Sequence, residues 1–360
     1  MPQPTLSDVH VNALLTDMSA MYSQAQTNFI ARDVFPIVPV NKISDRYLMY
    51  SRADFNRNQM QKRAPGTTVK NIGYRTDTTP TYLCDVWALG KTIDDQIRGN
   101  ADAIFNLDLE ATQLLTMQSL INREYAWMST FFAPNVWTNM WTGGAANTVG
   151  GYPTAPPPST ASSYTFLKWS DPSSTPIQDV RKIKQLVQLT STFRPNKMVI
   201  GRPVFDALVD HPEFVDRVKY GQTAPKPAQV ILDTLAAIFE MDRVHVSDAV
   251  YNIAGEGAGP NSGASYLPPT YNQGINAGEN NQFIAGPNVW VGYTPPAPGL
   301  MTEACGYTFA WNGYFGASQA GERISSYYFL PDRSTHVEIE SAYVHKVISA
   351  DMGAFLSGCI

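Results

Sequence analysis

Between Thr175 and Gly221 the chain reads TPIQDVRKIKQLVQLTSTFRPNKMVIGRPVFDALVDHPEFVDRVKYG, and this run constrains the fold more than any other. Thr175 is placed to cap a helix, Pro176 suits the first helical position, and Gln178 stands three residues on, as a capping box requires. Ile177, Val180, Ile183, Leu186 and Val187 recur at spacings of three and four, so one face is apolar while Arg181, Lys182, Lys184 and Gln188 lie opposite. Phe193-Arg194-Pro195-Asn196 ends the helix, because a residue before proline disfavours helical angles, and Met198-Val199-Ile200 before Gly201 reads as a buried strand. Pro203 opens a helix through Asp210 and Pro212 another through Lys219, with Val204, Phe205, Leu208, Phe214, Val215 and Val218 facing inward. Helix, strand and helix in succession predict an α/β unit with one buried face.

Ahead of this unit, Asn100 to about Phe132 carries a second strong signal. Ile104, Leu107, Ala111, Leu114, Ile121, Tyr125, Met128 and Phe132 follow the helical spacing with no glycine or proline between them, which predicts a rod of about 45 to 50 Å. Residues 1–44 lack long periodicity and read as an arm that needs a partner surface to be ordered, with Val11 to Ser23 as a short helix and Val34 to Val40 extended. From Asp45 to about Leu89, strand-like pieces at Tyr47 to Tyr50 and Tyr82 to Trp87 flank a polar middle. The window from Arg46 to Arg75 is charged one way: Arg46, Arg52, Arg57, Lys62, Arg63, Lys70 and Arg75 face a single acid, Asp54. In a chain whose net charge is −5 this segregation fits an extended loop drawn to an acidic surface of a neighbour; a solvated hairpin and a DNA contact are the other readings, the last weakened by the lack of regularly interleaved aromatics.

Beyond Gly221, Gln229 to Phe239 reads as an amphipathic helix and Arg243 to Val246 as a strand. Val289 to Tyr293 and Tyr307 to Trp311 are expected to join the same sheet as Met198 to Ile200. Ile324 to Phe329 and His336 to Ile348 return to strand character, with Val337, Ile339, Ser341 and Tyr343 alternating against His336, Glu338 and Glu340. Two stretches rich in Gly, Pro, Ser and Asn, residues 142–163 and 253–287, read as surface excursions of undetermined role.

Composition narrows the function classes. Charged residues make up 16% of 360, well under the usual quarter, which leaves neutral surface for subunit packing, and the net negative charge argues against a phosphate-gripping protein. Cys84, Cys305 and Cys359 lack the spacing of a zinc site or the even count of a disulfide framework, and read as reduced thiols in a cytoplasmic, soluble chain. No catalytic residue, metal ligand or cofactor site is assigned. The five histidines (His10, His211, His245, His336 and His345) fall in no ligand-pair spacing, Gly255 to Gly259 lacks the lysine and hydroxyl of a phosphate loop, and Asp94-Asp95 reads as decoration of a helix start.

RPNKMVIGRPVFDALVDHPEFVDRVKYGQT, from Arg194 to Thr223, together with the approach Lys168-Trp169-Ser170-Asp171-Pro172, resembles the major capsid proteins of tailed bacteriophages with the Hong Kong 97 fold, of the lambda-like capsid protein E type. The resemblance implies an α+β fold: an N-terminal arm (1–44), an extended β-hairpin E-loop (45–89), a P-domain with a long spine helix (90–192), an inserted A-domain (193–319) and C-terminal strands returning to the P-domain (320–360). It implies a structural, non-enzymatic protein assembling in the host cytoplasm into hexamers and pentamers of an icosahedral virion shell that encloses double-stranded DNA without binding it specifically, with no membrane contact. The basic residues then sit on the E-loop, and Asp102, Asp108, Glu110 and Glu124 along the spine helix are candidate acceptors on a neighbouring copy. No charged coiled-coil segment precedes the arm, so a separate scaffolding protein is expected, alongside a portal and a possible decoration protein. Some family members crosslink through an E-loop lysine; Lys62 and Lys70 lie in that region, with no asparagine partner identified by motif. The alternatives are an encapsulin-like compartment and, from another class, a soluble hydrolase with a site in the Gly/Pro-rich regions.

Overall fold

The computed structural model describes residues 24–101, 106–144, 162–221, 232–254, 280–299, 302–315 and 321–360, and two sheets organise them. The six-stranded sheet runs, in spatial order, Arg243–Ser247, Lys197–Gly201, Val289–Gly292, Gly353–Ser357, Asn139–Gly144 and Ser162–Leu167. Alternation decides what covers each face: Met198, Ile200, Val289, Val291, Ala354 and Leu356 pack under the helices Pro176–Ser191, Arg202–Val209 and Leu232–Phe239, while Val199, Trp290 and Phe355, one residue out of phase, meet Trp127, Met128 and Phe131 on the other side. Both faces are covered, which is why these strands are continuously apolar. The α/β unit expected between Thr175 and Gly221 is one half of this layer.

Its details differ at the ends. The Thr175 side chain makes no capping bond; the Glu213 carboxylate accepts from the Ile177 amide at 3.3 Å instead. Val215 is 37% exposed, whereas Val204, Leu208 and Phe214 are fully enclosed.

In the second sheet the 14-residue strand Ser334–Val347 is central, with Asp85–Asp94 along one side and Glu322–Phe329 then Gly306–Trp311 along the other. Tyr307 to Trp311 therefore joins this sheet and not the one containing Met198, contrary to expectation. Its outer edge is taken by Ile37–Val40 in parallel, and Phe309 stacks on Tyr82 at 4.7 Å. A strand buried on both faces carries no periodicity that names its neighbour.

The long helix Leu107–Phe131 joins the two sheets. Leu107, Ala111 and Leu115 sit on Val337 and Ile339 of the long strand, and its last turns enter the core beneath Trp290. Its 25 residues span about 37 Å, less than expected, because two helices replace one. Asp94 caps Asp95–Asn100 by accepting from the Gln96 amide at 2.7 Å, Ala101 is extended, and Asn106 accepts from the Leu109 amide at 3.1 Å to start the next helix. Ile104 and Asp102 lie outside the described residues. Leu114 and Tyr125, expected to face inward, are 44% and 49% exposed.

Val11 to Ser23 and most of the two Gly/Pro-rich stretches also lie outside the described residues. Part of the predicted arm packs within the subunit: Ile30, Ala31, Val34 and Phe35 are buried in one cluster with this chain's own long helix, and Phe29 is buried beside them in sequence. Phe35 contacts Phe131 at 4.5 Å and Trp290 at 5.2 Å between ring centres.

Trp290 thus sits where sheet, helix and N-terminal segment meet. Trp290→Ala is expected to cost about 3–5 kcal/mol, read as a lowered urea midpoint of the folded subunit.

Candidate functional site

The strongly basic stretch is built as a rooted loop. Ser44–Arg46 pairs with Thr81–Leu83 and Met49–Tyr50 with Thr76–Asp77, after which the short helix Arg52–Phe55 turns the chain outward. Tyr50, Phe55 and Tyr74 form an aromatic cluster at the root, with centroids 5.5 to 6.2 Å apart. Arg52 Nη2 reaches Asp351 at 2.6 Å and Asn56 donates to Thr192 Oγ1 at 3.4 Å, which ties the root to the six-stranded layer. Arg75 is clasped by Asp54, whose carboxyl is held down at about 2, chiefly by hydrogen bonds from the Arg75 side chain and amide.

Sequence reasoning grouped seven cations that the structure separates by task. Arg52 and Arg75 are spent inside the subunit, and Arg63 donates to the Thr67 carbonyl at 2.7 Å within the loop. Arg57, Lys62 and Lys70 make no ion pair among the described residues, and neither does Arg46 at the loop's base. Around them, residues 56–72 hold no acid and present Met60, Val69 and Ile72 at 95%, 67% and 65% exposure. Charge alone did not reveal these apolar residues; their exposure did.

The four acidic candidates also divide. Asp102 lies outside the described residues. Asp108 is held by a two-pronged contact from Arg98, at 2.7 and 2.8 Å, and Glu110 is exposed with no ion pair among the described residues. Glu124 is enclosed within the subunit: it accepts from the Ile30 and Ala31 amides at 3.0 and 2.8 Å, so no neighbour's cation can reach it in this conformation. On a helical wheel 124 lies about 40° from 110 but about 160° from 108; burial by the N-terminal segment was not visible from the helix alone. Further along the same helix, a groove of about 230 Å³ lies between Trp87, Leu89 and Ile339 of the sheet and Gln118, Ser119 and Asn122 of the helix.

Chemical alternatives find weak footing among the described residues. No group of three potential ligands is arranged for a metal. Ser174 Oγ lies 3.0 Å from His211 Nε2, yet Nδ1 accepts from the Glu213 amide at 3.2 Å; the proton therefore resides on Nε2 and the imidazole cannot take one from the serine in this state. The three thiols are buried and pushed up by burial, Cys84 to about 11. No described helix is long and apolar enough to cross a membrane.

Comparison with known proteins adds independent findings. The family model described as Phage major capsid protein E matches residues 164–255. The chain is 24% identical over 245 residues to the major capsid protein of Burkholderia phage BcepMu, covering 67% of this chain and 70% of that one. It is 27% identical over 250 residues to the major capsid protein of Pseudomonas phage JBD67, covering 68% and 71%. Among solved structures, a phage-related protein from Bordetella bronchiseptica aligns with TM-score 0.61 at 18% identity over 94% of this chain and 93% of that one. The mature capsid of bacteriophage PhiM1 aligns with TM-score 0.54 at 13% identity over 98% and 93%. The fold is that of phage capsid subunits.

Because Asp54 is depressed, its clasp on Arg75 is complete above the ordinary carboxyl value of 3.8 and is lost as pH falls through about 2. The Arg75 Nε–H signal in NMR is expected to titrate near pH 2; a midpoint near 4 would show the root open in solution.

Proposed function

We propose that the chain is a phage major capsid protein, whose work is mechanical: copies of it build the icosahedral head, as hexamers and pentamers, around double-stranded DNA. Support comes from two curated major capsid proteins matched over two thirds of the chain, on a capsid fold. The observation that carries the reading into residues is the rooted loop, whose tip exposes Met60, Val69 and Ile72 beside Arg57, Lys62 and Lys70, which make no ion pair among the described residues. On a free monomer such a tip is a liability; on a shell subunit it is a contact.

In this reading the tip lies on the next copy's long helix near Glu110 and the groove by Trp87, with Arg46 and Arg63 adding charge and Asp108 remaining with Arg98. Arg52 and Arg75 aim the loop from its root. Each exposed pair contributes little, and many repeated around a capsomer sum through multivalency. The domain roles of arm (1–44), E-loop (45–89), P-domain (90–192) and A-domain (193–319) follow the capsid pattern, with the six-stranded layer shared between A-domain, P-domain and C-terminal strands. A net charge of −5 keeps the container from adhering to the packaged polyanion. A separate scaffolding protein and a portal complete the assembly.

Negative-stain microscopy of the chain expressed with its genomic neighbours tests this: shells are expected, and monomers that persist with scaffolding protein supplied would overturn it. Lys62→Glu with Lys70→Glu is expected to leave the monomer folded by circular dichroism while shell yield drops at least tenfold, with partial recovery when Glu110→Lys is added. Shells boiled in detergent are expected to run as one monomer band; a ladder would reveal a covalent bond through Lys62 or Lys70.

A further inference from the structure

We propose that Glu124 is a proton-linked latch for the N-terminal segment, with the short helix Ala31–Val34 held on the long helix when the carboxyl carries a proton and released as it ionises. The inference concerns the subunit's own fold and stands whether or not the shell reading does.

The geometry is specific. Glu124 is 0% exposed, and its Oε2 accepts both backbone amides at the start of the short helix, Ile30 at 3.0 Å and Ala31 at 2.8 Å. The second oxygen, Oε1, lies 3.3 Å from the Ser247 hydroxyl on the edge strand of the six-stranded sheet. One carboxyl therefore pins three elements: the long helix, the sheet and the N-terminal segment. No cation pairs with it among the described residues, although cations are close by. Arg123, its chain neighbour, is turned to Glu322 at 3.1 Å and to the face of Tyr343 at 4.4 Å; Arg32 also pairs with Glu322. Lys197 donates to the Asp33 and Val34 carbonyls at 3.0 and 2.7 Å, at the far end of the same short helix. The remaining titratable groups facing this corner are Asp33, whose charge opposes ionisation of Glu124, His245, kept neutral by burial, and Arg243.

A buried carboxylate with no counter-cation is costly, whereas the neutral acid fits the same partners. With the proton on Oε1, that oxygen donates to Ser247 Oγ, and Oε2 still accepts both amides. Closing needs only the reversal of one hydrogen bond and a proton from solvent. Burial accordingly pushes this carboxyl up to about 7 from 4.5. The sign follows: the closed state binds the extra proton, so it is favoured in full below the open-state value, weakens as pH rises towards about 7, and weakens no further above it.

The test is amide exchange on the full-length chain between pH 5 and 8, corrected for intrinsic rate, in peptides covering residues 26–36. Protection in the wild type is expected to fall about tenfold per pH unit up to neutrality and then level. Glu124→Gln cannot titrate and is expected to show no such slope. A wild-type profile without slope, or one that persists in Glu124→Gln, overturns the latch. Should that variant not fold, infrared spectroscopy of the wild type decides: a buried protonated carboxyl C=O band that disappears near pH 7 supports the latch, and the absence of any such band between pH 5 and 8 overturns it.

Discussion

Two adjacent ionisable residues in the middle of an apolar interface, Arg123 and Glu124, set the condition on which the rest of the subunit depends. Each is enclosed, at 2% and 0% exposure, and an unsatisfied charge there would cost more than a small domain can spare. Arg123 is met by Glu322 and by the Tyr343 ring, from the long-stranded sheet. Glu124 is met by two amides from the N-terminal segment and by a hydroxyl from the other sheet. The helix can sit where it does only if both sheets and residues 30–34 are in place, so the two layers are fixed relative to each other by polar satisfaction as much as by apolar burial. Removing Glu322 would take the carboxylate from the buried Arg123, and removing the Ser247 hydroxyl or the two amides would leave the Glu124 carboxyl short of a hydrogen-bond partner.

Much of this architecture is legible in the sequence, for a physical reason. Where a helix or strand buries one face, the period of its apolar residues reports its state, and the run from Thr175 to Gly221 gives up its helices and strand almost residue by residue. The long helix was legible in kind but not in extent, because Asn106 caps a new start inside an uninterrupted apolar pattern. What could not be read is pairing. Tyr307 to Trp311 is buried on both faces and bears no mark of which sheet it joins; Phe29 to Phe35 looks like a polar-apolar mixture until the long helix supplies the surface it covers.

The basic loop shows the same division. Seven cations against one acid stand out in the sequence, yet only the fold distinguishes those that hold the loop's root from those that make no ion pair among the described residues. Asp54 and Asp351, which aim the loop, are ordinary acids in sequence, one of them almost three hundred residues from its partner Arg52. Glu124 was misread as surface charge because a helix pattern does not show what will lie across it.

The strand Gly353–Ser357 occupies the middle of the six-stranded sheet, between Val289–Gly292 and Asn139–Gly144, although it is the last strand of the chain. Until it arrives, the strands on its two sides have no hydrogen-bonded connection, and closing the sheet requires contacts more than two hundred residues apart in sequence. The layer therefore completes only after residue 357 has been synthesised. A chain that stops before residue 353 lacks the strand that joins the two halves of the sheet. With Gly353–Ser357 at its centre, the six-stranded layer consists of two unjoined halves, three strands and two, until that strand is in place.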